Sequence, residues 1–70
     1  MKYTVMIREA PDGYYIASCP LVPEAHAQSR NYEECLSHMR EALALCIDYR
    51  RERGEGIPDE AKSRQVVLAL

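Results

Sequence analysis

Hydrophobic and polar residues alternate from the first positions of the chain. In residues 2–9, KYTVMIRE, Tyr3, Val5 and Ile7 fall on one side and Lys2, Thr4, Met6 and Arg8 on the other. β-Branched and aromatic residues at period two predict a half-buried strand. APDG comes next. Pro11 presets φ for a turn, Asp12 can bond its own backbone and Gly13 accepts a positive φ, so the chain should reverse here. The returning strand is YYIASC, residues 14–19, with Tyr15 and Ala17 opposite Tyr14, Ile16 and Ser18. PLVP, residues 20–23, carries proline at both ends, which excludes a central strand and predicts a stiff connection. EAHAQS, residues 24–29, alternates again, with Glu24, His26 and Gln28 on one face and Ala25, Ala27 and Ser29 on the other. It reads as a third, weaker strand at a sheet edge.

The period then changes. Tyr32, Cys35, Leu36, Met39, Leu43, Cys46 and Ile47 recur at a spacing near 3.6, which makes one apolar stripe on a helix. Asn31 followed by Glu34 fits a capping box. Arg50, Arg51 and Arg53 crowd the far end, where cations suit the helix dipole, and Gly54, Gly56 and Pro58 stop it. The spacing predicts a helix over 32–52. Residues 54–63 are a polar connection. RQVVLAL, residues 64–70, is β-prone again, with Val66, Leu68 and Leu70 on one face. The predicted fold is α+β with order β-β-β-α-β. Three strands form an antiparallel meander, one long helix packs on one face, and the crossover helix returns the final strand parallel to the first.

Size limits what such a chain can do alone. Its 70 residues make a single domain, and chains this short bury too little surface to be robust. Self-association, as a homodimer or a higher oligomer, is therefore expected. A net charge of −2 argues against independent nucleic-acid binding, which draws on a basic patch. Three cysteines are an odd number that suits a reducing cytoplasm better than a disulfide scaffold. No run approaches the ~20 apolar residues of a membrane span.

Cys19, His26, Cys35, His38 and Cys46 are the candidate chemistry. On an ideal helix Cys35 and Cys46 share one face but lie ~16 Å apart along the axis, and a metal holds each sulfur at about 2.3 Å. They cannot share an ion within the helix, so both read as small core hydrophobes. A Cys35–His38 pair would need Cys19 or His26 to complete a metal site, and no C-x-x-C is present. Nucleophilic catalysis would need a base and an oxyanion hole, and a ribonuclease-type metal site would need clustered acids. The strands carry Glu9 and Glu24 and little else. The expectation is a protein without enzymatic activity, metal or cofactor.

The order of several weak motifs carries a resemblance. Asp12-Gly13-Tyr14 opens the second strand, Pro20 to Pro23 bounds the loop, Asn31 with Glu33-Glu34 starts the helix, and Glu41-Ala42-Leu43 lies within it. In this the chain resembles the HicB-like antitoxin family, best over residues 1–52. It departs from the family pattern in lacking a Gly-Cys pair after the loop proline and in reading Ser-Arg-Asn, rather than Gly-Asp-Thr, before the helix.

The resemblance implies a partial ribonuclease-H-like fold without its chemistry. It also implies a partner, a small HicA-type toxin that cleaves messenger RNA and is masked by binding. Family members often append a DNA-binding module. Residues 1–70 are expected to hold one HicB-like domain, and Leu70 follows directly on the last predicted strand, so DNA binding is not carried over. The candidate partner-binding residues are Asp12, Tyr14, Ile16, Leu21, Glu24 and His26. They combine a stiff apolar rim, an edge strand with unpaired backbone groups, and carboxylates able to attract a basic toxin. The alternative is an orphan HicB-like domain that works as a self-associating or generic interaction module.

Overall fold

The computed structural model describes residues 2–70. Three short strands, β1 (Met6–Glu9), β2 (Tyr15–Ser18) and β3 (His26–Ser29), form one antiparallel sheet in the order β1-β2-β3. A single helix, α1 (Tyr32–Glu52), packs on one face of it, over β2 and β3.

Turn chemistry builds the sheet. At the β1–β2 turn the Gly13 N–H donates to the Ala10 carbonyl at 2.9 Å, and the Ala10 N–H donates to Tyr14 at 2.7 Å. Asp12 accepts from the Tyr14 N–H at 3.2 Å, and Gly13 takes φ 89°, a conformation that a β-carbon disfavours. The register then pairs Ile7 with Ala17 and Arg8 with Ile16. Between β2 and β3 the two prolines each occupy the second position of a turn. Val22 N–H donates to Cys19, and Ala25 N–H donates to Val22. This double turn folds the loop inward, so that Cys19, Val22 and Ala25 are all buried.

Alternation decides which residues meet the helix. Ala17 is buried on the inner sheet face, with Tyr15, Ala27 and Ile7 packed beside it. Cys35, Met39 and Ile47 are the buried residues of α1. The helix starts at Asn31, whose side chain accepts from the Glu34 N–H at 2.9 Å. The expected capping box closes differently. The hydroxyl of Ser29 accepts from the Asn31 N–H at 3.2 Å, while Glu34 turns toward His38, 3.9 Å away. At the other end Gly54, at φ 69°, supports the pair Gly54 N–H to Arg51 and Glu55 N–H to Arg50. This reciprocal pattern closes helices on a left-handed glycine.

Two expectations are corrected. The first strand begins at Met6 rather than Lys2, because Met6 pairs with Ser18, and beyond Ser18 the partner chain turns away at Pro20. The final strand, expected parallel to the first over residues 64–70, pairs with no other segment among the described residues. After α1 the chain docks beside the start of β1. The Tyr3 hydroxyl donates to the Pro58 carbonyl at 2.7 Å, and the Thr4 N–H donates to Glu60 at 2.8 Å. A short 3-10 turn (Glu60–Lys62) follows, and the segment beyond it stays exposed, Val67 at 97%. β-Propensity alone does not make a strand, which needs a ladder partner and a packed face.

Candidate functional site

The sheet has one face against the helix and one face open. From the register, Met6, Ser18 and His26 form one row across the open face, and Arg8, Ile16 and Gln28 form the next. Tyr14 extends this face toward the hairpin, and the Arg30 guanidinium lies over its ring at 5.0 Å. Stacking of a cation on a tyrosine ring holds both side chains in place. Ile16 is half-buried at the centre, while Met6 is largely exposed. The face therefore has an aliphatic and aromatic centre flanked by Arg8 and Arg30, and none of these rows holds a carboxylate.

Both sheet edges are open. Hydrogen-bonded and non-bonded pairs alternate along an antiparallel ladder. With Ala10 bonded to Tyr14, the alternation turns the backbone groups of Val5, Ile7 and Glu9 outward at the β1 edge. The same count leaves His26 and Gln28 facing outward at β3. Unpaired edges of this kind accept an added strand.

The candidate residues divide into groups. Tyr14, Ile16 and His26 share the open face, as their alternation predicts. Asp12 sits in the hairpin turn with one oxygen engaged by the Tyr14 N–H. Leu21 packs half-buried against the core beside the fully buried Val22, so the proline loop plugs the interior with Val22 and keeps Leu21 partly exposed between Pro20 and Pro23. Glu24 holds Arg50 through two bonds, at 2.7 and 2.8 Å, tying the loop before β3 to the end of α1. The Arg50 hydrogen bonds hold the Glu24 carboxyl below its ordinary pKa and raise that of Arg50. The negative charge is thus already matched within the chain. Arg8, Gln28 and Arg30 are not among the candidate residues, although period-two spacing places them with Tyr14 and Ile16.

The sulfur and imidazole groups are dispersed. The Cys35 thiol points at strand carbonyls, Tyr15 at 3.5 Å and Ala27 at 3.9 Å, where it locks helix to sheet. Cys19 is buried in the turn after β2. Burial, and then the Glu24 charge, push the Cys46 thiol up, away from the thiolate that nucleophilic chemistry requires. His38 lies on the exposed side of α1 near Glu34. Among the described residues no three His, Cys, Asp or Glu side chains converge as a metal site would require. No helix among them is long and apolar enough to cross a membrane.

No family model matches the chain. Individual relatives do. It is 36% identical to a UPF0150 protein of Thermoplasma acidophilum over 58 residues, covering 83% of this chain and 84% of that one. A UPF0150 protein of Synechocystis is 32% identical over 68 residues, 96% of this chain and 94% of the relative. The antitoxin HicB of Escherichia coli is 34% identical over 58 residues, which are 83% of this chain but 42% of the antitoxin. Among solved structures, the N-terminal domain of the Burkholderia pseudomallei antitoxin HicB superposes with a TM-score of 0.75 at 19% identity, over 84% of this chain and 69% of that domain. The aligned length and the shared sheet-and-helix architecture place this chain in the HicB-like family together with the UPF0150 proteins.

Proposed function

We propose that the protein is an antitoxin that binds and masks a small HicA-type toxin, one that cleaves messenger RNA, and that it has no catalytic activity of its own. One observation carries this reading. The 34% identity to the antitoxin HicB of Escherichia coli runs over 58 residues, enough to span the sheet and the helix. The open sheet face supplies the surface. Tyr14, pinned under Arg30, and the half-buried Ile16 lose little side-chain entropy on binding, and the β3 edge beside His26 and Gln28 offers backbone pairing to a partner strand. Ile16 is already half-buried, so covering the rest of it removes apolar surface worth about 1 kcal/mol, roughly half the value of a full aliphatic burial. Such a protein acts in the cytoplasm, where messenger RNA is cleaved.

The test is co-expression with the adjacent small open reading frame. The wild type should restore growth and copurify with the toxin. Ile16→Asp and Tyr14→Ala should abolish both while leaving the circular dichroism spectrum unchanged. If no toxic product exists at that locus and none copurifies, the antitoxin role is lost. The alternative, an orphan interaction module that pairs with itself, is favoured by the exposed apolar segment at residues 64–70.

A further inference from the structure

We propose that residues 64–70 complete the sheet of a second copy of this chain, each copy laying this arm along the β1 edge of the other. The inference is independent of the toxin-binding reading and uses a different part of the molecule.

The arm has the sequence RQVVLAL. In an extended conformation Val66, Leu68 and Leu70 point one way and Val67 and Ala69 the other, so both faces are apolar. That is the pattern of a strand covered on both sides. Here Val66, Val67, Leu68 and Leu70 are all exposed, Val66 least at 72%. A run of this kind is an unsatisfied pairing element, and left free it is an aggregation hazard.

A receiving site of matching length and chemistry exists. The α1 helix lies over β2 and β3 and does not reach β1. An open groove of about 950 Å³ remains between residues 2–5 and the helix, with Val5, Leu36, Met39, Leu43 and Ile47 among its lining. From Leu36 to Ile47 the groove runs ~16 Å along the helix at 1.5 Å per residue, the length of about five strand residues at ~3.3 Å each. Beside it lies the β1 edge, with the backbone groups of Val5, Ile7 and Glu9 turned outward. Thr4 is already taken, because its N–H donates to Glu60, so the open stretch begins at Val5.

The arm's course selects the second copy as host. Residues 57–62 are held on their own body through Pro58 and Glu60. Ser63 is itself extended, at φ −114° and ψ 153°, and the apolar residues beyond it stay exposed rather than packing on their own body. The radius of gyration is 13.3 Å, against about 11 Å for a compact chain of this length. Two such arms exchanged about a two-fold axis give a closed, self-complementary pairing. Each copy donates an apolar strand and receives one, so exposed arm, empty groove and open edge are resolved together.

The test combines mass and contacts. Sedimentation at tens of micromolar should give a dimer or another closed assembly. In an equal mixture of isotope-labelled and unlabelled protein, filtered NOE spectra should connect Val66 and Leu68 to Val5 and Leu43 across chains. Val66→Asp with Leu68→Asp, at exposed sites that leave the monomer fold intact by circular dichroism, should shift the mass to that of a monomer. A wild-type monomer with unprotected arm amides overturns the proposal. So do arm-to-groove NOEs found only within one chain, or an assembly whose mass the double variant leaves unchanged.

Discussion

Truncating Met39 to alanine tests how the core is held. Met39 is 1% exposed, sits in the middle of α1 and is the largest fully buried side chain among the described residues. The substitution removes Cγ, Sδ and Cε from a site enclosed by the helix and the inner sheet face. At about 0.8 kcal/mol per methylene-sized group the transfer loss is ~2.4 kcal/mol, and the cavity left behind raises the cost to between that value and about 4 kcal/mol. A domain of this length holds only about 3.5–10 kcal/mol in total. The loss should therefore lower the melting temperature by roughly 10–30 °C. Urea titration at fixed protein concentration, followed by far-ultraviolet circular dichroism, reads the change directly. With a slope near ~1 kcal/mol/M for so small a domain, the midpoint falls by about 2–4 M at unchanged slope. Leu45→Ala on the same helix is the control, because Leu45 is 70% exposed and its truncation should cost less than about 0.5 kcal/mol. A Met39→Ala midpoint within experimental error of the Leu45→Ala midpoint would refute the assignment of Met39 to the load-carrying core.

Two further predictions concern the helix ends. Asn31→Ala removes the acceptor of the Glu34 N–H and should cost about 1 kcal/mol in urea unfolding; no measurable loss would show that Ser29 alone orders this end. Glu24→Gln removes the charge that Arg50 holds. Because the folded carboxyl titrates below its ordinary value of 4.5, its stabilising contribution is complete above that value and is lost as pH falls through the lower, folded pKa. The wild type should thus lose more stability than Glu24→Gln on acidification through this window. The difference is modest for a solvent-exposed pair, and parallel pH profiles for the two proteins would contradict the account.

Much of the fold was legible because its signals are local. The helix spans Tyr32–Glu52 as its 3.6-residue stripe and its Asn31 and Gly54 boundaries predict. The hairpin sits where Pro11, Asp12 and Gly13 place it. The candidate surface was half legible. Tyr14, Ile16 and His26 fall together through alternation, which is a property of the backbone. Leu21 and Glu24 could not be placed from sequence, since the inward fold of the proline loop and the reach of Arg50 from α1 join residues far apart along the chain. The capping box differs for a local reason, because Ser29, two residues before Asn31, competes for the same N–H and takes the hydrogen bond that spacing assigns to Glu34.

By itself, the sequence determined the element types, the hairpin, the helix limits and the split between an inner and an outer sheet face. Each follows from backbone geometry acting over a few residues. Tertiary structure alone decided that α1 covers β2 and β3 and leaves the β1 edge open, that Val22 is core and Glu24 is engaged, and that residues 64–70 stand free. Those outcomes depend on which distant surfaces meet. A strand-forming run carries its propensity in its own residues, but its pairing belongs to whichever edge it reaches.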